Sequence, residues 1–97
     1  IVMKMQQLSP DTEILLIDAL GGAPNVYSNA KFDEYFSAME ELKSAYDGVY
    51  TMNLFNVGKT LLEQKKYSDV TGNGINHVND FATRLYIMNI MSALVNY

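Results

Sequence analysis

The only histidine of the chain, His77, carries most of the acid–base chemistry that the sequence can offer near neutral pH. It stands in T-G-N-G-I-N-H-V-N-D-F, residues 71–81. An imidazole titrates near pH 6.5 when unperturbed, so it can take a hydroxyl proton and later return it to a leaving alcohol. Gly72 and Gly74 give the loop a backbone freedom that a β-carbon resists. Two readings of His77 stand side by side: a general base at the rim of a site, or a partly exposed residue hydrogen-bonded to its own turn. A metal role is disfavoured. There is no second histidine and no cysteine, and nothing near His77 has ligand spacing.

Elements must position that loop. Residues 1–8 place Ile1, Met5 and Leu8 at helical spacing, and Ser9-Pro10-Asp11 ends the run because proline disfavours helix at the residue before it. Residues 13–18, E-I-L-L-I-D, hold four consecutive apolar residues, the pattern of a strand covered on both faces. Residues 19–30 are rich in Gly, Pro and Asn and read as a loop. Residues 31–46 give a helix with Phe32, Tyr35/Phe36, Met39, Leu42 and Ala45/Tyr46 on one stripe, and Asp33, Glu40, Glu41 and Lys43 facing water. Asp47-Gly48 stops it.

Residues 49–55, V-Y-T-M-N-L-F, are rich in β-formers and read as a second strand. A short helix is expected around 57–65, with Lys65-Lys66 solvated at its end. Asn79 or Asp80 is a suitable cap for the last helix. That helix is expected to bury Phe81, Leu85, Met88, Met91 and Leu94/Val95, with Phe81 and Leu85 anchoring the histidine loop. The methionines at 39, 88 and 91 then count as core filler. Strand, helix and strand in this order make a βαβ unit, whose crossover is almost always right-handed.

Two strands are too few for a buried parallel sheet. The remainder of the same domain, or a second chain, is expected to complete it, and residues 1–97 are expected to be a single partial domain. The start at Ile1, inside a helical segment, fits that expectation. Expressed alone, the 97 residues should be poorly soluble or molten, because a strand edge lies open.

At 48% apolar and 19% charged residues, the composition is that of a soluble globular protein rather than a disordered chain. A formal net charge of -4 leaves no basic footprint for nucleic acid. No apolar run suggests a membrane span. With no cysteine, disulfides are excluded, while the compartment, including secretion, stays open.

In its order of elements, and above all in D-V-T-G-N-G-I-N-H-V-N-D-F-A-T-R-L-Y at residues 69–86, the chain resembles the C-terminal part of SGNH/GDSL-type esterases and lipases. The layout matches along essentially all 97 residues, though only the histidine loop and the start of its helix are specific. The resemblance implies an α/β chain: the C-terminal part of a three-layer α/β/α, flavodoxin-like domain with a mostly parallel sheet. It implies His77 as the general base of a serine esterase acting on acetyl or short acyl esters of carbohydrate, with no cofactor. The family's nucleophile lies in a Gly-Asp-Ser block, and none of Ser9, Ser28, Ser37, Ser44, Ser68 and Ser92 has that setting.

Other departures concern the histidine block itself. Where the family carries an acid three residues before the histidine, Gly74 stands here, and Val78 replaces the usual following proline. Ala82 stands where a glycine is usual. The orienting partner could be the side-chain oxygen of Asn73, Asp69 folding back, a backbone carbonyl, or none. Asp69 reads more readily as a solvated loop acid or a cap than as that partner. Asp18 and the G-G-A-P-N loop at 21–25 could line a pocket on the same edge, or serve only as a connector. Tyr27, Tyr35 and Phe36 could form an aromatic wall, unless Tyr35 and Phe36 belong to the core. A non-catalytic module that keeps the fold and binds a glycan or a partner is the alternative function.

Overall fold

The structure, a computed structural model, describes residues 1–23 and 31–95. Its elements are α1 (Val2–Leu8), β1 (Ile14–Ile17), α2 (Phe32–Ala45), β2 (Val49–Met52), α3 (Leu54–Leu62), a 3-10 turn (Tyr67–Asp69) and α4 (Asp80–Val95). The two strands pair in parallel, Ile14 opposite Val49 and Ile17 opposite Met52. The chain is therefore mixed α/β, with a two-stranded parallel sheet among the described residues.

Around the amino end of the sheet, Val2, Ile14 and Val49 form a buried cluster, with Leu16 and Tyr46 packed against it. The stripe expected on the first helix is rotated: Val2 is buried, while Ile1, Met5 and Leu8 are exposed. β1 is covered only in part, since Ile14 is buried and Ile17 is exposed. Gly48 takes the left-handed backbone that ends α2, at φ 77°, and its carbonyl accepts the Ile14 amide at 2.8 Å.

Helix α2 meets β2 through the Thr51 hydroxyl, which donates to Glu40. Glu40, expected to face water, is half-buried for that reason. Phe36 and Met39 are half-buried as expected, whereas Tyr35 is exposed and edge-on to Phe32, ring centroids 6.2 Å apart. Phe32 stacks on Phe55 of α3 at 4.4 Å.

The second strand ends at Met52, three residues short of the expected boundary. Asn53 caps α3 instead, its side-chain oxygen accepting the Asn56 amide at 2.8 Å. An asparagine before an apolar run is a helix-start signal, and here it outweighs the β preference of the flanking residues. Leu54 and Phe55 consequently lie inside a helix and are buried. Gly58 faces the chain leaving β1 so closely that a β-carbon there would stand 3.0 Å from the Leu20 carbonyl oxygen.

In α4 the inward residues are Ala82, fully buried, with Leu85, Tyr86, Asn89, Ile90 and Ala93 half-buried. The expected stripe is turned outward: Phe81, Met88, Met91, Leu94 and Val95 are all exposed. Met88 and Met91 are thus not core filler. No helix among the described residues is long and apolar enough to cross a membrane.

Candidate functional site

At the carboxyl end of the sheet the backbone pairing runs on past β1, where the Asp18 amide donates to the Met52 carbonyl at 3.3 Å. One Asp18 carboxylate oxygen accepts the Leu54 and Phe55 amides, the latter at 3.1 Å. Asp18 therefore caps α3, where a carboxylate also meets the positive end of the helix dipole. Its second oxygen is buried with no hydrogen-bond partner among the described residues. Two residues on, the Leu20 amide donates to the Tyr86 hydroxyl at 2.9 Å, so α4 is tied to the same segment. Burial pushes the Tyr86 phenol above its ordinary pKa of 10.0; the Leu20 amide pulls it back, and Asp18 and Tyr67 push it up.

The histidine loop is fastened onto this end of the sheet. The Ala23 amide, from the chain leaving β1, donates to the Ile75 carbonyl at 2.8 Å, and the Tyr67 hydroxyl donates to the same oxygen at 2.9 Å. At the base of the loop, Thr71 and Val78 form an antiparallel bridge. The His77 carbonyl accepts from the Gly72 amide at 2.7 Å and from the Thr71 hydroxyl at 2.8 Å. Gly74 has the positive φ, 76°, that its residue type allows.

Behind the loop, Asn79 is the cap of α4. Its side-chain oxygen accepts the Ala82 amide at 3.0 Å and its Nδ2 donates to the Asp69 carbonyl at 2.8 Å. Ala82, rather than Phe81, is the buried anchor at that helix start.

His77 is exposed, and its ring is held among amides rather than carboxylates. Its Nδ1 lies 2.9 Å from Asn73 Nδ2 and 2.7 Å from Asn76 Oδ1. Two of the candidate orienting partners are engaged elsewhere. The Asn73 oxygen is turned away from the ring, because it accepts the amides of Ile75, Asn76 and His77 at 2.9, 3.0 and 3.1 Å. Asp69 caps the 3-10 turn, its carboxylate accepting the Lys66 amide at 3.0 Å.

Comparison with protein-family models, with curated proteins and with solved structures finds no match. The loop's own geometry is what speaks for it. Asn76, which sequence reasoning passed over, is the side-chain acceptor nearest the ring, and the doubled N-x-x-N spacing of 73, 76 and 79 was its only signal. The structure brings Asp18 to the cap of α3 rather than to a free pocket wall. Pro24, Asn25 and Tyr27 lie outside the described residues. Lys65 and Lys66 are exposed as expected, the Lys65 ammonium standing 5.1 Å from the centre of the Phe81 ring. No cluster of histidine, cysteine or carboxylate residues among those described could hold a metal ion.

Proposed function

We propose that this chain supplies the general base of an SGNH/GDSL-type serine esterase, as the C-terminal part of a three-layer α/β/α domain. The remainder of that domain, or a second chain, completes the sheet and brings the nucleophilic serine. The substrate is an acetyl or short acyl ester of a carbohydrate. His77 Nε2 takes the proton of the serine hydroxyl as its oxygen attacks the ester carbonyl, and then delivers it to the departing alcohol. In the second half the same nitrogen takes a proton from water as that water attacks the acyl carbonyl. It returns the proton to the serine oxygen as the acyl–serine bond breaks and the carboxylic acid leaves.

One observation carries this reading. A solvent-facing imidazole sits on a loop braced by many hydrogen bonds and tied to the carboxyl end of a parallel sheet, where open α/β sheets bind ligands. The test is His77→Ala in the intact protein, assayed on an aryl acetate. The expected loss in kcat is about 10²–10⁴-fold, and unchanged turnover would defeat the proposal. A binding module is the second reading, favoured by the neutral side-chain amides that flank the ring in place of a carboxylate.

A further inference from the structure

The atoms around the His77 ring are not free to be assigned at will. Three backbone amides, those of Ile75, Asn76 and His77, converge on one side-chain atom of Asn73 at 2.9–3.1 Å. Backbone N–H groups only donate, so that atom is the oxygen and the other terminal atom of Asn73 is the donating Nδ2. Asn73 Nδ2 in turn lies 3.0 Å from a side-chain atom of Asn76, which must accept and is therefore Oδ1. His77 Nδ1 is 2.7 Å from that same oxygen. A bare ring nitrogen would set two lone pairs against each other at that distance, whereas a protonated one donates.

From this chain of assignments we infer that Asn76 is the positioning residue of His77, holding the ring as the Nδ1–H tautomer. This deepens the esterase reading and rests on it for its catalytic meaning. With Nδ1 carrying the proton, the Nε2 lone pair is free to take a hydroxyl proton. In the other tautomer Nε2 already carries hydrogen and is no base at all. A wrong tautomer costs up to about 10⁴ in turnover in serine hydrolases. Asn73 acts one step behind: it fixes the loop backbone with its oxygen and the Asn76 amide with its nitrogen. The competing arrangement is a bare Nδ1 accepting from Asn73 Nδ2, 2.9 Å away. It would leave the ring in the unproductive form.

The deciding measurement is a long-range ¹H–¹⁵N correlation spectrum of the intact protein labelled with ¹⁵N-histidine, recorded above the ordinary imidazole titration range. The His77 signals are identified by their loss in His77→Gln. The expected pattern is a protonated Nδ1 and a bare Nε2. Asn76→Ala should shift His77 toward the Nε2–H form that free histidine favours and lower kcat at least about tenfold. Asn76→Asp, which keeps an oxygen at the position, should restore the Nδ1–H pattern.

A bare Nδ1 in the natural protein overturns the inference, and so does a tautomer unchanged in Asn76→Ala. Failure of Asn76→Asp to restore the pattern overturns it as well, since the oxygen would then not be what holds the proton. The spectrum reads the ring itself. It can therefore succeed where His77→Ala leaves turnover unchanged, and in that case the esterase reading fails while the tautomer assignment stands.

Discussion

Helix α3 and helix α4 are both apolar, yet they use that character in opposite ways. In nine residues α3 buries Leu54, Phe55 and Gly58, and its first turn is capped from two sides by Asn53 and Asp18. In sixteen residues α4 buries only Ala82, while Phe81, Ile87, Met88, Met91 and Leu94 remain exposed. The difference divides the molecule. Around α3, the carboxyl end of the sheet and the histidine loop, most polar demands are met by neighbours within the chain. Along the outer side of α4 a row of large apolar side chains is left exposed, with the Lys65 ammonium near the Phe81 ring. Local polar bracing can thus fix a loop in a chain whose apolar surface is far from covered.

The sharpest way to break the satisfied region is Leu54→Ala in the intact protein. Leu54 is only 1% exposed, and truncating a buried leucine costs about 2–5 kcal/mol. A fall in unfolding free energy of that size, read as a lower urea midpoint at unchanged m, is expected, and a change within noise would mean that α3 is not packed as described. A smaller effect is expected at Tyr86→Phe. The hydroxyl that accepts the Leu20 amide disappears, and leaving such a group unpartnered costs about 1 kcal/mol when it is partly buried.

Tyr86 also leaves a mark on pH dependence. Its folded pKa is raised above the ordinary 10.0, so the native state holds the phenol proton more tightly than the unfolded chain does. The associated stability is complete below pH 10 and is lost as pH rises through the folded value. Unfolding curves taken across the alkaline range should fall less steeply for Tyr86→Phe than for the natural protein. Parallel curves would remove Tyr86 from the account.

How much of this could be read beforehand varied with the physics involved. The unbroken I-L-L-I run announced β1, and Asp47-Gly48 announced the end of α2, because each signal is local and has few rivals. The end of β2 was hidden: V-Y-T-M-N-L-F favours strand along its length, and only the capping role of Asn53 divides it. The phase of α4 was hidden for another reason. With Phe81, Leu85, Ile87, Met88, Ile90 and Met91 distributed around the helix, several stripes satisfy a 3.6-residue period equally well. At the candidate site, the position of His77 was legible from its loop, but its neighbours were not. Asn73 and Asn76 carry the same side chain, and only the amides folded against Asn73 decide which oxygen is left for the ring.

The smallest expected effect sits on the open side, and it sharpens the contrast most. Met88 is 65% exposed, so Met88→Gln replaces one solvated chain of similar length by another. Substitutions of that kind shift stability by no more than about 0.5 kcal/mol. The urea midpoint of the intact protein carrying Met88→Gln should therefore stay close to that of the natural protein. A loss approaching that of Leu54→Ala would mean that the outer side of α4 is covered in the intact protein. The row of methionine and aliphatic side chains would then belong to a core shared with whatever completes the sheet. The stripe predicted from the spacing of Phe81, Leu85, Met88 and Met91 would then face that shared core, and Ala82 would face the part of it formed within this chain.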